Sequence, residues 1–345
     1  MKSLTAVAIS GGVDSLMAAY ILKQQGHKVI GIHFITGYET DPERTDRKIS
    51  MLAAQLGINY KILDCRQAFE SHVIKYFTTS YLAGLTPNPC MICNPTIKFG
   101  FVFEYARQLG ANRLATGHYA RITKGGTNRL HLVKGIDTIK DQSYFLARLT
   151  QKQLSCACFP LGDFTKQNII QMAKENNLSP VTKGESQDIC FIQNKTYGEF
   201  LISQAGFQPK HGLIEDVNGN VIGRHNGLHL FTIGQRRGIN CPAAEPYYVV
   251  RLDMGQNRLV VGYKNDLLSS QLTAIHINWI NRPENLEQTI YTRIRGRHQA
   301  QPSTLSLKNS TTATIRFHTP QSSVTPGQGA VFYQNNEVLG GGWIA

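Results

Sequence analysis

The 345-residue sequence predicts an α/β fold: a parallel sheet with helices on both faces, then a small β-rich module, then a terminal β-barrel. Three observations carry this. Over 1–120, short apolar runs alternate with stretches of helical periodicity. One junction, "AVAISGGVDSLMAAYIL" (Ala6 to Leu22), is an apolar run that meets Ser-Gly-Gly and opens at once into a helix. From about 205 the texture changes to short strands separated by Gly, Asn and Pro.

In order, "TAVAIS" reads as a strand and "SLMAAYILKQQ" as a helix ended by Gly26. "KVIGIHF" is a second strand, "RTDRKISMLAAQLG" a helix stopping at Gly57, and "NYKILDC" a third strand. Helices near 67–83 and 96–109 precede "NRLATGHY", a fourth strand ending in Gly117-His118. In such sheets a ligand sits at the carboxyl ends of the strands. The Ser10 loop, Phe34 and Gly117-His118 all fall there and are expected to converge. Residues 121–135 read as a hairpin around "KGGTN", and helical segments are expected from there to about 180. "YYVVRLD", "RLVVGY" and "TATIRFH" read as later strands. Boundaries near 203 and 268 divide the chain into 1–203, 204–268 and 269–345.

The formal net charge is +13, from 36 Lys and Arg against 23 Asp and Glu. The excess is local, as in "RIRGRH" (Arg293 to His298) and "GQRRG" (Gly234 to Gly238), which favours a polyanionic partner, nucleic acid above all. No apolar run is long enough to span a membrane, and the N-terminus reads as a core strand. Seven cysteines, an odd number, argue against a disulfide framework and for a reducing, cytoplasmic setting.

Ser10-Gly11-Gly12-Val13-Asp14-Ser15 follows a strand and starts a helix, the arrangement in which backbone N–H groups and the helix dipole hold phosphate. It lacks the Gly-Lys-Ser/Thr of the common NTPase loop and any G-x-G-x-x-G. Asp14 reads as a ligand for Mg²⁺ or the pyrophosphate side, or as a helix cap. "TPNPCMICNPTIKFG" carries Cys90 and Cys93, and "GESQDICFI" carries Cys190. Both are polar, Pro- or Gly-punctuated stretches, where a thiolate is expected to be exposed and activated by a cation such as Lys98. Cys65, Cys156, Cys158 and Cys241 read as small buried hydrophobes.

SGGVDS resembles the signature of the PP-loop ATP pyrophosphatases, whose fold is adenine nucleotide alpha hydrolase-like. Those enzymes split ATP between its α- and β-phosphates and adenylate an oxygen of a substrate. SGGVDS, "TPNPxxxCN" with "IKFG", "ATGHYAR", "KDQSYFL", "ESQDICF", "TIGQRRG" and "LGGGWI" together, in that order, resemble the bacterial tRNA-specific 2-thiouridylases from end to end. The resemblance implies ATP-dependent thiolation of the wobble uridine through adenylation of its 2-carbonyl oxygen. It implies that Cys190 carries sulfur as a persulfide and that Cys93 then forms a Cys93–Cys190 disulfide. It implies ATP contacts at Ala8, Ile9, Ser10, Gly11, Gly12, Val13, Asp14, Ser15, Phe34 and Gly117, with His118 as a secondary candidate. Asn88, Pro89 and Cys90 match the target-base segment. Lys140, Asp141 and Gln142, and also Arg295, Gly296 and Arg297, match segments that contact tRNA, although Asp141 also reads as a helix cap. The implied cofactors are ATP and Mg²⁺. The implied partners are tRNA (for Lys, Glu and Gln) and a sulfur donor such as a cysteine desulfurase or sulfur-relay protein, with no membrane.

One departure opens an alternative. Many family members have Asp where this chain has Cys90. The resulting Cys90-x-x-Cys93 with Cys190 is also a ligand set for a four-iron four-sulfur cluster, which could carry the sulfur instead. A catalytically silent tRNA-binding protein is the reading from another class. The loop 35–48 matches the family less well and receives no assignment. The segment Gly184–Cys190 is expected to move on tRNA binding.

Overall fold

The computed structural model describes 3–39, 42–126, 128–181, 189–192, 195–204, 207–284 and 289–345, with the side chains of 42–44 left out. Thr127 of the hairpin turn, Thr40 and Asp41 of the 35–48 loop, and most of the segment expected to move, Gly184 to Asp188, lie outside the described residues.

Five parallel strands form the first sheet: β1 (Leu4–Ala8), β2 (Lys28–Ile35), β3 (Asn59–Asp64), β4 (Arg113–Ala115) and a strand at Ala157–Cys158, in the order β3-β2-β1-β4 and then Ala157–Cys158. Helix α1 (Val13–Gln24) buries Leu16, Met17, Ala18 and Ala19 completely, and α2 (Pro42–Leu56) packs Ile49 and Leu52 into the same core. Gly26 and Gly57 close these helices with positive φ of 77° and 57°, which glycine adopts at little cost. The expected all-helical stretch after 135 is corrected by the strand at Ala157–Cys158, which pairs with β4 at Leu114 and Ala115. Two residues are too few to show an alternation, and "SCACF" has none. Of the four cysteines read as buried, Cys65 and Cys156 are buried and Cys158 and Cys241 half-buried.

The helix over 90–108 is continuous but changes pitch: Cys90–Cys93 is α, Asn94–Val102 is π, and Phe103–Gln108 is α again. Pro95 has no N–H to give to the carbonyl of Met91, so the ladder cannot run i to i−4 there and widens.

The middle module is a four-stranded sheet in which Gly212–Asp216 runs parallel to Arg258–Gly262, flanked by Val221–His225 and Tyr248–Asp253. The terminal module is a six-stranded barrel, Leu268–Trp279, Thr312–Ser322, Gln301–Asn309, Ile290–Arg293, Gly329–Gln334 and Glu337–Ile344, closed by the pairing of the first strand with the last. "LGGGWI" is that closing strand. A Cβ on Gly340 would stand 2.2 Å from the carbonyl of Asn278, and on Gly342 2.6 Å from that of Ile275, so bare backbone is what lets the seam close. The expected hairpin exists as Ala120–Lys124 and Leu130–Lys134. It does not join the first sheet: Leu132 and Val133 pair with Val338 and Glu337 and extend the barrel sheet. Trp343 reaches back to pack against Tyr76 in a tilted ring contact (5.5 Å) and lies under Arg148 (5.0 Å). Among the described residues no helix is long and apolar enough to cross a membrane.

Candidate active site

The loop after β1 is wired to itself. Gly11 sits at φ +89°, where a side chain would be strained, and its carbonyl accepts from the Val181 N–H at 3.0 Å. Ser15 Oγ donates to the Gly12 carbonyl (3.0 Å) and accepts from the Ser10 N–H (3.1 Å). Ala8 and Ile9 are buried behind it, and Ser10 is exposed. Helix α1 begins at Gly12 with no side-chain cap, which leaves its first-turn N–H groups to a ligand. Gly117 closes the site from β4: a Cβ there would lie 2.9 Å from Asp14. Phe34 is half-buried at the carboxyl end of β2, packed on the core.

Asp14 is not a helix cap. Its carboxylate receives the Lys166 ammonium at 2.7 and 2.8 Å and the Tyr119 hydroxyl at 2.8 Å. Lys166 was not singled out in the sequence. It opens the helix Lys166–Glu175, whose N-cap is Thr165, so it places a cation where the helix dipole disfavours one. That misfit was the available signal. Both Asp14 oxygens are engaged by the ammonium, so a Mg²⁺ held by Asp14 and phosphate oxygens would take the place of Lys166 on the carboxylate, where it would neutralise charge on those oxygens.

From Gly117 the site runs on to the thiols. His118 is buried and held well below the usual histidine range by that burial and by the Lys98 charge, so it is neutral. Lys98 can only donate, and its Nζ lies 3.3 Å from His118 Nε2. That fixes the proton on Nδ1, which donates to Thr116 Oγ1 at 2.6 Å. His118, expected as a secondary candidate to contact phosphate or polarise the carbonyl, is here a neutral ring that aims Lys98.

Lys98 lies five residues after Cys93, one turn of the widened helix, and Cys90 and Cys93 share a face at i, i+3. The Lys98 charge acts on all three thiols, Cys90, Cys93 and Cys190. An ordinary α pitch would turn it away. The expected activation by Lys98 is outweighed. Burial pushes the Cys93 thiol up to about 12 and Cys190 to about 11, and raises Cys90, with Lys98 only partly offsetting this. Cys90 and Cys190 are nonetheless exposed to solvent, and Cys93 is half-buried. Cys190 is anchored by its neighbour Phe191, whose ring packs on Phe69, Phe77, Phe200 and Tyr38 at 5.1 to 5.8 Å. Tyr38 brings the unassigned 35–48 loop into this site.

Lys98→Met is expected to slow iodoacetamide alkylation of Cys190 at neutral pH, on the order of tenfold, and to move its pH profile upward. A cation favours the thiolate, so its loss raises the thiol further; an unmoved profile would show that Lys98 does not act there.

Among the described residues no three His, Cys, Asp or Glu side chains are arranged to hold a metal ion. The three thiols share the field of one ammonium, which suits a sulfur anion.

Asn88 is buried, its N–H donating to the Tyr76 hydroxyl at 3.3 Å, and Pro89 starts the helix that bears Cys90. Asp141 is buried and spent: it accepts from the Gly135 and Ser143 N–H groups, from Ser143 Oγ (2.9 Å) and from Arg293 (2.8 Å). The short helix Ser143–Leu146 takes Gln142, not Asp141, as its N-cap and carries no side-chain cap, so the capping reading of Asp141 is corrected. Gln142 is likewise tied to the Tyr119 backbone. Arg293 also donates to the Gly296 carbonyl, and Gly296 packs on Phe145. The 140–142 and 295–296 segments thus lie together, with Lys140 half-exposed and Arg295 and Arg297 exposed. Arg295 donates to the Ser322 carbonyl at 3.1 Å, and Gly234 abuts Ser323, which brings the exposed Arg236 and Arg237 of "GQRRG" to the same region.

Three family models cover the chain: the tRNA methyl transferase HUP domain over 3–194, the tRNA methyl transferase PRC-barrel domain over 199–263, and the aminomethyltransferase beta-barrel domain over 269–344. The tRNA-specific 2-thiouridylase MnmA of Desulfosudis oleivorans is 49% identical over 342 residues, 99% of this chain and 94% of that protein. The MnmA proteins of Geobacter metallireducens (42%, 98% of this chain, 95% of that one) and Chlorobium phaeobacteroides (42%, 100% and 98%) are similar over the same extent. A solved U34-tRNA thiolase, NcsA of Methanococcus maripaludis, is 18% identical with a TM-score of 0.37, covering 55% of this chain and 63% of that one, too slight a likeness to carry an argument. The identity, its full-length extent and the three matched domains together establish that this chain belongs to the tRNA-specific 2-thiouridylase family.

Proposed function

We propose that this protein is an ATP-dependent tRNA sulfurtransferase that 2-thiolates the wobble uridine. One observation carries the reading: Cys93 and Cys190 meet around Lys98, and Lys98 is bound to His118, next to the Gly117 that closes the phosphate loop. A poor leaving group, the uridine 2-oxygen, becomes a good one when it attacks the α-phosphate of ATP and pyrophosphate departs. The terminal sulfur of a Cys190 persulfide then forms a C–S bond at C2 as AMP leaves. The Cys93 thiolate attacks Sγ of Cys190, the thiouridine sulfur leaves with its electron pair, and a Cys93–Cys190 disulfide remains. A sulfur-relay protein or cysteine desulfurase would load Cys190, and a dithiol would reduce the disulfide. Asn88 and Pro89 border the target base beside Cys90.

The basic surface of Lys140, Arg295, Arg297, Arg236 and Arg237 would track tRNA phosphates. Arg295→Ala and Arg297→Ala are each expected to weaken tRNA binding and reduce its salt dependence by about one phosphate contact, read from affinities over a salt series. An unchanged slope in both would remove this face from the tRNA path.

The test of the whole reading is a single turnover of anaerobically purified, persulfide-loaded protein with ATP and tRNA. Thiouridine, AMP and pyrophosphate should form in equal amounts on iron-free protein. About four irons per chain, required for activity and lost with Cys90→Ala, would replace it by the cluster route.

A further inference from the structure

The Cys90-x-x-Cys93 pair gives this chain a third thiol that the thiolation just described does not use. Cys90 and Cys93 are i, i+3 on the first turn of the 90–108 helix, a separation of about 5–6 Å between Cβ atoms that small rotations bring within disulfide range. Cys93 feels the charge of both other thiols, and Cys190 feels that of Cys90, so the three lie in one neighbourhood. Cys90 is exposed and Cys93 only half-exposed. Lys98, on the same helix face, favours whichever of the three sulfurs carries the negative charge. A C-x-x-C at the start of a helix in an α/β domain is a thiol–disulfide exchange arrangement in its own right.

We propose that Cys90 is a resolving cysteine: its thiolate attacks Sγ of Cys93 in the Cys93–Cys190 disulfide, forming a Cys90–Cys93 disulfide and releasing Cys190 as a thiolate. One S–S bond forms and one breaks, the electron pair leaves on Cys190, and no oxidant is consumed. A dithiol from solution then reduces the Cys90–Cys93 pair at the surface. The exchange rests on the persulfide reading and frees Cys190 to take the next sulfur before the reductant arrives. A neighbouring thiol held on the same helix turn attacks at an effective concentration far above that of any free dithiol.

The proposal is tested on the full chain, loaded with persulfide, taken through one turnover with ATP and tRNA without reductant. The sample is quenched with N-ethylmaleimide and cut with trypsin. Cys90 and Cys93 fall together on 76–98, while Cys190 falls on 184–195. Expected for the unaltered chain is an internal disulfide in 76–98, lighter by two hydrogens, with Cys190 alkylated. In Cys90→Ser the disulfide formed per thiouridine should instead join the two fragments. A cross-link between the fragments in the unaltered chain would overturn the exchange and leave the persulfide route standing. Thiouridine formed with neither disulfide would overturn both.

Discussion

Cys190→Ser is expected to abolish tRNA thiolation, a loss of at least about a thousandfold, while tRNA affinity stays within about twofold. In the proposed mechanism the sulfur that bonds to C2 sits on Cys190, and a serine hydroxyl cannot carry it. The fold does not depend on that thiol, because the segment is held by Phe191 among Phe69, Phe77 and Phe200. The proposed adenylation half rests on the Ser10 loop instead, so tRNA-dependent release of pyrophosphate from ATP should survive in this variant. Thiolation that persists in Cys190→Ser would sink the persulfide mechanism. Pyrophosphate release lost together with thiolation would show that the two halves are not separable in the way the geometry implies.

Lys166→Met is expected to lower kcat/KM for ATP by about a hundredfold, measured as pyrophosphate release. The Lys166 side chain is 10% exposed and its ammonium touches both oxygens of Asp14, which is 36% exposed and lies at the head of α1. This is a cation held against the phosphate loop by a carboxylate. With phosphate seated on the loop, the ammonium would be available to it. Removing the ammonium leaves Asp14 partly buried and unpaired in charge, at a cost of about 1–3 kcal/mol of stability, less than for a fully buried pair because Asp14 keeps some water. Combining Lys166→Met with Asp14→Asn should recover most of that stability without recovering ATP turnover. Activity regained along with stability in the double variant would make the pair a structural tie alone.

The parallel sheet was legible because each strand and helix up to 109 writes its own period: "TAVAIS" into "SLMAAYIL", each helix closed by a glycine. The phosphate loop and the three cysteines were legible for the same local reason, since each lies in a short run of unusual composition. The strand at Ala157–Cys158 was not, because two residues carry no period.

What the sequence by itself determined is therefore the set of elements, the Ser-Gly-Gly loop at the head of α1 and the cysteine-bearing stretches that form the candidate site. What only the tertiary structure decided is which distant groups meet. Lys166 reaches Asp14 across 152 residues, Arg293 pairs with Asp141 across another 152, and the hairpin at Ala120–Lys134 leaves its neighbouring sheet to extend the barrel. None of these has a local signature, because an ion pair or a strand edge is satisfied by whatever partner the packed chain brings to it. The aim of Lys98 lies between the two. Pro95 was visible in the sequence, but that its missing N–H would widen the helix, rather than end it, was settled by the packing of Ile97, Phe99 and Val102 into the core.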